Sequence, residues 1–132
     1  MMKLLGFKYV ETSGRGEVIE YVVLTKVKNK YYIDWFSYSK KEVENYKEKY
    51  SGQKRERFEI TKKIDKFLNE IESFNIKDWK KEYMGMEFFP PIGSWKLHIT
   101  TNTYNVVTSG SGDYPENFRE FFNSFKRMCE KK

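Results

Sequence analysis

The stretch GSWKLHITTNTYNVVTSGSGDYPENFREFFNSFKRMC, residues 93–129, decides the fold. Trp95, Leu97 and Ile99 alternate with Lys96, His98 and Thr100, the period of a strand with one buried face. Thr101-Asn102-Thr103 reads as a turn and Tyr104 to Thr108 as the return strand of a hairpin. Ser109-Gly110-Ser111-Gly112 is expected to break that strand, and Asp113-Tyr114-Pro115-Glu116 supplies a D-x-x-E capping box with proline in the first helical turn. Phe118, Phe121, Phe122, Phe125, Met128 and Cys129 then fall on one continuous apolar stripe of helical period, as expected of a core helix.

Working outward, the first third reads as antiparallel β. Lys3 to Val10 is an apolar run interrupted by Gly6, residues 12–16 form a loop, and Glu17 to Val27 is rich in Val, Ile and Tyr. A turn at Lys28-Asn29 leads into Lys30 to Phe36, where Tyr31, Ile33 and Trp35 share one face and Tyr32, Asp34 and Phe36 the other. Rings on both faces predict a strand that is central or partly covered on its second side. Ser39-Lys40-Lys41-Glu42 is a second capping-box signature and predicts a helix to about Tyr50, with only Val43, Tyr46 and Tyr50 on its apolar side. Arg55 to Ile60 suits a short edge strand, and Thr61 is expected to cap a helix bearing Ile64, Phe67, Leu68 and Ile71. Ile76, Trp79 and Tyr83 have helical spacing, whereas Phe88-Phe89-Pro90-Pro91 must be extended. No linker or repeat divides the chain. One α+β domain over residues 1–132 is expected, an antiparallel sheet of about five or six strands with two or three helices packed on it.

Composition supports a real core, with 39% hydrophobic and 18% aromatic residues in 132. No run approaches the roughly 18 apolar residues that cross a bilayer, and the N-terminus is too short in apolar residues for a signal peptide, so a cytoplasmic protein without a membrane partner is expected. The single cysteine, Cys129, cannot form an internal disulfide and reads as a buried thiol. Alanine is absent while Lys, Asn, Ile, Tyr and Phe abound, which suits a low-GC bacterium or one of its mobile elements. The net charge of +6 is concentrated in residues 47–63, net +4, and 126–132, net +3. Such zones steer acidic proteins or nucleic acids, or only confer solubility.

No residues announce a reaction. The Ser109–Gly112 loop before a helix resembles an anion site, but Asp113 and Glu116 would occupy the same N–H groups, and the Walker lysine and dinucleotide fingerprint are missing. His98 and Cys129 are too few for a zinc site, so neither metal nor cofactor is expected, and His98 lacks any nucleophile elbow. Asp34, Glu59 and Asp78 are carboxylates that only the fold can bring together. Residues 28–36 loosely resemble the basic and aromatic strand of RNA-recognition motifs, with Tyr32 or Trp35 as stacking rings, although the order of elements differs.

The quoted stretch also resembles the end of small uncharacterised proteins of low-GC bacteria and their phages. Those proteins carry a W-x-L-x-I strand, a glycine turn and a Y-P-x-N-F helix start, here Trp95-Lys96-Leu97-His98-Ile99, Ser109-Gly110 and Tyr114-Pro115-Glu116-Asn117-Phe118. Trp79 and Tyr83 match a preceding W-x-x-x-Y element. The resemblance implies structural roles for these residues and no activity. The function expected is therefore non-enzymatic: stoichiometric binding to a host protein or ribonucleoprotein complex, such as inhibition of a bacterial defence complex. Tyr46, Lys47, Lys49, Tyr50, Lys54, Arg55 and Arg57 are the expected contact region. The alternatives are a nucleotide pocket lined by Tyr31, Trp35 and Tyr104, and direct binding of nucleic acid.

Overall fold

The computed structural model describes residues 2–14, 17–44, 47–85 and 93–130, and for residues 39–44 and 47–53 it describes the backbone alone. Seven strands form one sheet: β1 (Leu4–Thr12), β2 (Val18–Val27), β3 (Lys30–Glu44), β4 (Lys47–Glu59), β5 (Glu82–Met84), β6 (Ser94–Thr101) and β7 (Asn105–Ser111). Their order is β4-β3-β2-β1-β6-β7-β5, antiparallel throughout except where β5 runs parallel to β7. Two helices, α1 (Ile64–Ser73) and α2 (Phe118–Met128), and a 3-10 turn at Ile76–Asp78 complete the α+β fold. The strand count exceeds the expected five or six because the short segment after Trp79 adds β5, while the region expected to be helical lengthens β3 and β4 without adding a strand.

Residues 39–50 are the main correction. The capping-box pattern at Ser39 predicts a helix, but β3 continues to Glu44 and pairs with β4 through Glu44↔Lys47. Pairing satisfies every second backbone group at once, whereas a helix here offered only three apolar side chains to bury. Two register shifts, at Tyr38/Ser39 and Lys40/Glu42, bend the ribbon. Three smaller expectations also change. Thr61 does not cap α1: its hydroxyl accepts the Tyr31 N–H at 2.9 Å, and the N-cap of α1 is Lys63. Asp113 does not cap α2, which begins after Asn117, and its carboxylate accepts the Tyr114 N–H instead. Ser109 to Ser111 remains in strand β7, with Gly110 placed where a Cβ would lie 2.6 Å from the Trp95 indole nitrogen and 2.7 Å from two carbonyl oxygens. That glycine is needed for close backbone approach.

Both helices pack on the same side of the sheet. From β1, β3 and β6 come Phe7, Tyr9, Ile33, Trp35, Leu97 and Ile99, and from the helices Phe67, Ile71, Phe121 and Phe125, all buried. Phe125 is the hub: it stacks on Phe7 with centroids 4.7 Å apart and lies 5.4 Å from Trp35 and 5.9 Å from Phe67. Cys129, one helical turn further on, is buried in the same core. The residues that carried the W-x-L-x-I and Y-P-x-N-F pattern converge on a second knot. Trp95 donates its indole N–H to the Asp113 carbonyl at 2.9 Å, stacks on Tyr114 at 5.5 Å and touches Phe118 at 5.1 Å. Asn117 accepts the Trp79 indole N–H at 2.9 Å and donates to the Phe74 carbonyl, tying the end of α1 to the start of α2.

Among the described residues no helix is long and apolar enough to cross a membrane. Phe125→Ala is expected to cost about 3–5 kcal/mol, because the rings around it cannot collapse into the void. Val107→Ala, at an exposed position, should cost less than about 0.5 kcal/mol. Urea unfolding of both variants checks the assignment of faces, and equal losses would contradict it.

Candidate partner-binding face

Strand alternation sends the residues between the core positions to the other side of the sheet, and among the described residues no helix packs there. The register aligns them in rows across the strands. Arg57, Asp34, Val23, Lys8, His98 and Val107 form one row, and Arg55, Phe36, Tyr21, Val10, Lys96 and Ser109 the next. Apolar side chains, rings and cations are thus interleaved on an open surface.

Asp34 organises the half of this face built by β3 and β4. It is only 4% exposed although no helix among the described residues covers it, because its neighbours close over it. Arg57 donates from Nε to Oδ1 at 2.7 Å and from Nη2 to Oδ2 at 3.0 Å, Thr25 donates to Oδ2 at 2.9 Å, and Arg55 Nη2 stands 3.8 Å from Oδ1. The Arg57 hydrogen bonds hold the Asp34 carboxyl below the usual carboxylate range against the opposing effect of burial. Both guanidinium groups also lie over rings, Arg57 5.0 Å from the Tyr32 centroid and Arg55 5.4 Å from that of Phe36. Two cations therefore share one carboxylate and remain exposed at their outer edges.

The other half lies on β1, β6, β7 and β5 and is concave, with a cavity of about 640 Å³. Lys8, Lys96 and His98 line it together with Ser109, Val10 and Met84. Lys8 reaches over the Tyr21 ring at 5.4 Å, and the His98 Nε2 is 2.6 Å from Asn105 Oδ1.

The expected contact residues divide between the two sides. Arg55 and Arg57 are on the open face, Lys54 pairs with Glu56 at 3.5 Å on the helix side, and Lys47, Lys49 and Tyr50 belong to β4 by backbone. Tyr46 lies outside the described residues, as do Phe88 to Pro91. The expected pocket of Tyr31, Trp35 and Tyr104 is not assembled. Trp35 is 1% exposed beneath α2, Tyr31 sits on β3 under Lys26, and Tyr104 lies beyond β6, with β2 and β1 between the two strands. Burying Trp35 also removes it as a stacking ring and leaves Tyr32 and Phe36 on the open face. Asp34 and Glu59 share that face, while Asp78 belongs to the 3-10 turn after α1, so the three carboxylates do not converge.

A carboxylate pair that sequence reading missed lies on the helix side. Glu11 and Glu20 are direct cross-strand partners, and Trp35 donates its indole N–H to Glu20 at 3.3 Å. They line a groove of about 530 Å³ with Tyr9, Tyr114, Glu116 and Arg119. Burial, and then the Glu20 charge and hydrogen bond, push the Glu11 carboxyl above its ordinary value; burial, helped by the Glu11 charge, pushes the Tyr9 phenol far up. The signal was available only in the pairing register, which includes a shift at Glu11/Thr12.

The Glu11 shift sets a sign. Its folded value lies above its unfolded one, so the proton it holds favours the fold below the ordinary glutamate range, and that contribution is lost as pH rises through the folded value. Asp34 acts in the opposite sense, favouring the fold above the ordinary range until pH falls through its lowered value. Glu11→Gln is expected to stabilise the protein by roughly 0.5–1 kcal/mol near neutral pH and to have little effect near about pH 4. Urea unfolding at both pH values tests this, and a loss of stability at neutral pH would contradict it. Comparison of the chain with models of protein families, with curated proteins and with solved structures finds no match.

Proposed function

We propose that the protein is a non-enzymatic binding protein that associates stoichiometrically with an acidic surface of a protein partner, free or within a ribonucleoprotein complex. Arg55, Arg57 and the β3–β4 ribbon make the contact. The observation that carries this reading is the guanidinium pair over Asp34. Its two groups are oriented before binding, by a shared carboxylate and by ring faces, so little side-chain freedom is lost when carboxylates of a partner arrive. Arginine and aromatic neighbours of this kind are the usual anchors of interfaces.

The ribbon supplies the second support. Pairing of β2 with β3 ends at Glu20↔Ser37, while β3 and β4 stay paired to Glu44↔Lys47. Among the described residues no other strand pairs with β3 or β4 beyond Ser37, over roughly 20 Å at the usual rise per residue. A two-stranded ribbon is marginal by itself, and its unpaired edge is a template for a strand from a partner. Direct binding of single-stranded nucleic acid fits less well. Base stacking needs bare ring faces, and here Tyr21, Tyr32 and Phe36 are each covered by a cation.

The test is affinity capture by the tagged protein from a low-GC bacterial lysate, with a nuclease wash and mass spectrometry of what is retained, alongside the R55E/R57E double variant. A protein retained in stoichiometric amount by the natural chain and lost with the variant is the expected result. Retention of nuclease-sensitive nucleic acid alone, or equal retention by the variant, would overturn the proposal. Circular dichroism and urea unfolding confirm that the variant is folded.

A further inference from the structure

We infer that the concave half of the open face is a binding site for a small phosphorylated molecule that also carries sugar hydroxyls. The site is separate from the arginine pair and requires no protein partner.

The argument begins with register. Lys8 on β1 is directly opposite His98 on β6, and Lys96 is opposite Val10, two residues along on each strand. Lys8, His98 and Lys96 are therefore contiguous on adjacent strands, and Ser109 is directly opposite Lys96 on β7. Lys8 and Lys96 lie diagonally across the β1–β6 pair, a separation that long side chains can span. Among the described residues, neither lysine has a carboxylate within ion-pair distance, in contrast to Arg55 and Arg57, which share Asp34. The Ser109 hydroxyl has no side-chain hydrogen bond there, whereas Thr12 and Ser94 bond to each other and Ser111 donates to the Gly93 carbonyl. The two lysines, an imidazole held in place by Asn105, and one hydroxyl thus line one cavity, with the Lys8 ammonium over the Tyr21 ring at its β2 side and Glu82 as its carboxylate at the β5 side.

The rest of the cavity decides what the anion is attached to. Its volume of about 640 Å³ lies within the range of small-molecule sites. Val10 and the exposed Met84 supply apolar surface on its two sides. Glu82, opposite Ser109 on β5, lies across β7 from Lys96. A carboxylate there repels a second phosphate and accepts hydrogen bonds from sugar hydroxyls. A phosphomonoester of a sugar or nucleoside satisfies the lysines at one side and Glu82 at the other.

The probes are adenosine 5′-monophosphate, adenosine and inorganic phosphate, titrated into the full chain by calorimetry, with amide and side-chain NMR shifts to locate the site. Saturable binding of adenosine 5′-monophosphate, with adenosine much weaker, is expected. Lys8→Gln and Lys96→Gln, both at exposed positions, should each weaken it about tenfold or more. R55E/R57E should change it by less than about twofold, which separates this site from the proposed protein contact. The inference is overturned if neither adenosine 5′-monophosphate nor phosphate binds saturably, if both lysine variants bind as the natural chain does, or if the shifts map to β3 and β4.

Discussion

The stacking of Phe125 on Phe7, between Trp35 and Phe67, is the contact on which the rest of the structure depends. It pins the C-terminal helix to the first and third strands at once, and with α1 it commits both helices to one side of a seven-stranded sheet. Side chains alternate along a strand, so burying Trp35 obliges Asp34 and Phe36 to face the other way. The chemistry of the open face is therefore a consequence of how the core is filled. Burying Trp35 thus decides which side chains β3 presents on the opposite side.

Asp34 shows how that face is kept ordered where no helix of the described residues covers it. A carboxylate so nearly buried is costly unless its oxygens are fully engaged, and Arg57, Thr25 and Arg55 engage them from two neighbouring strands. The same contacts lay the arginines flat on Tyr32 and Phe36. Glu11 and Glu20 are the counterexample on the helix side, a carboxylate pair that, among the described residues, has an indole donor and no arginine like those on Asp34, so burial raises the Glu11 value where hydrogen bonding lowers that of Asp34. The two carboxylate sites respond to pH in opposite directions.

Much of this was legible in the residues. The alternation at Trp95, Leu97 and Ile99, the phenylalanine stripe of α2 and the Ile64–Ile71 helix all report directly which side chains are buried, and burial is what periodicity encodes. The sequence pattern grouped Lys54 with Arg55 and Arg57, whereas strand pairing puts Lys54 on the helix side and the two arginines on the open face. Residues 39–50 defeated local reading because a capping box is a short-range pattern, while the strand that replaces the helix draws its hydrogen bonds from a partner on the far side of a turn. Gly110 resembled part of a loop for a related reason: it answers to Trp95, fifteen residues earlier, and to the Tyr83 carbonyl as well as to nearby Asp113. The Glu11/Glu20 pair and the Lys8, His98 and Lys96 group both arise from cross-strand register, which no single segment contains.

Hydroxyl-radical footprinting of the protein alone and in complex with its captured partner tests the orientation of this molecule most directly. Protection of Tyr21, Tyr32 and Phe36 on binding, with Tyr104 and Phe122 unchanged, is the result this account predicts. Protection of Phe122 and Tyr104 with the three open-face rings unchanged would show that the partner meets the helices, and would contradict it.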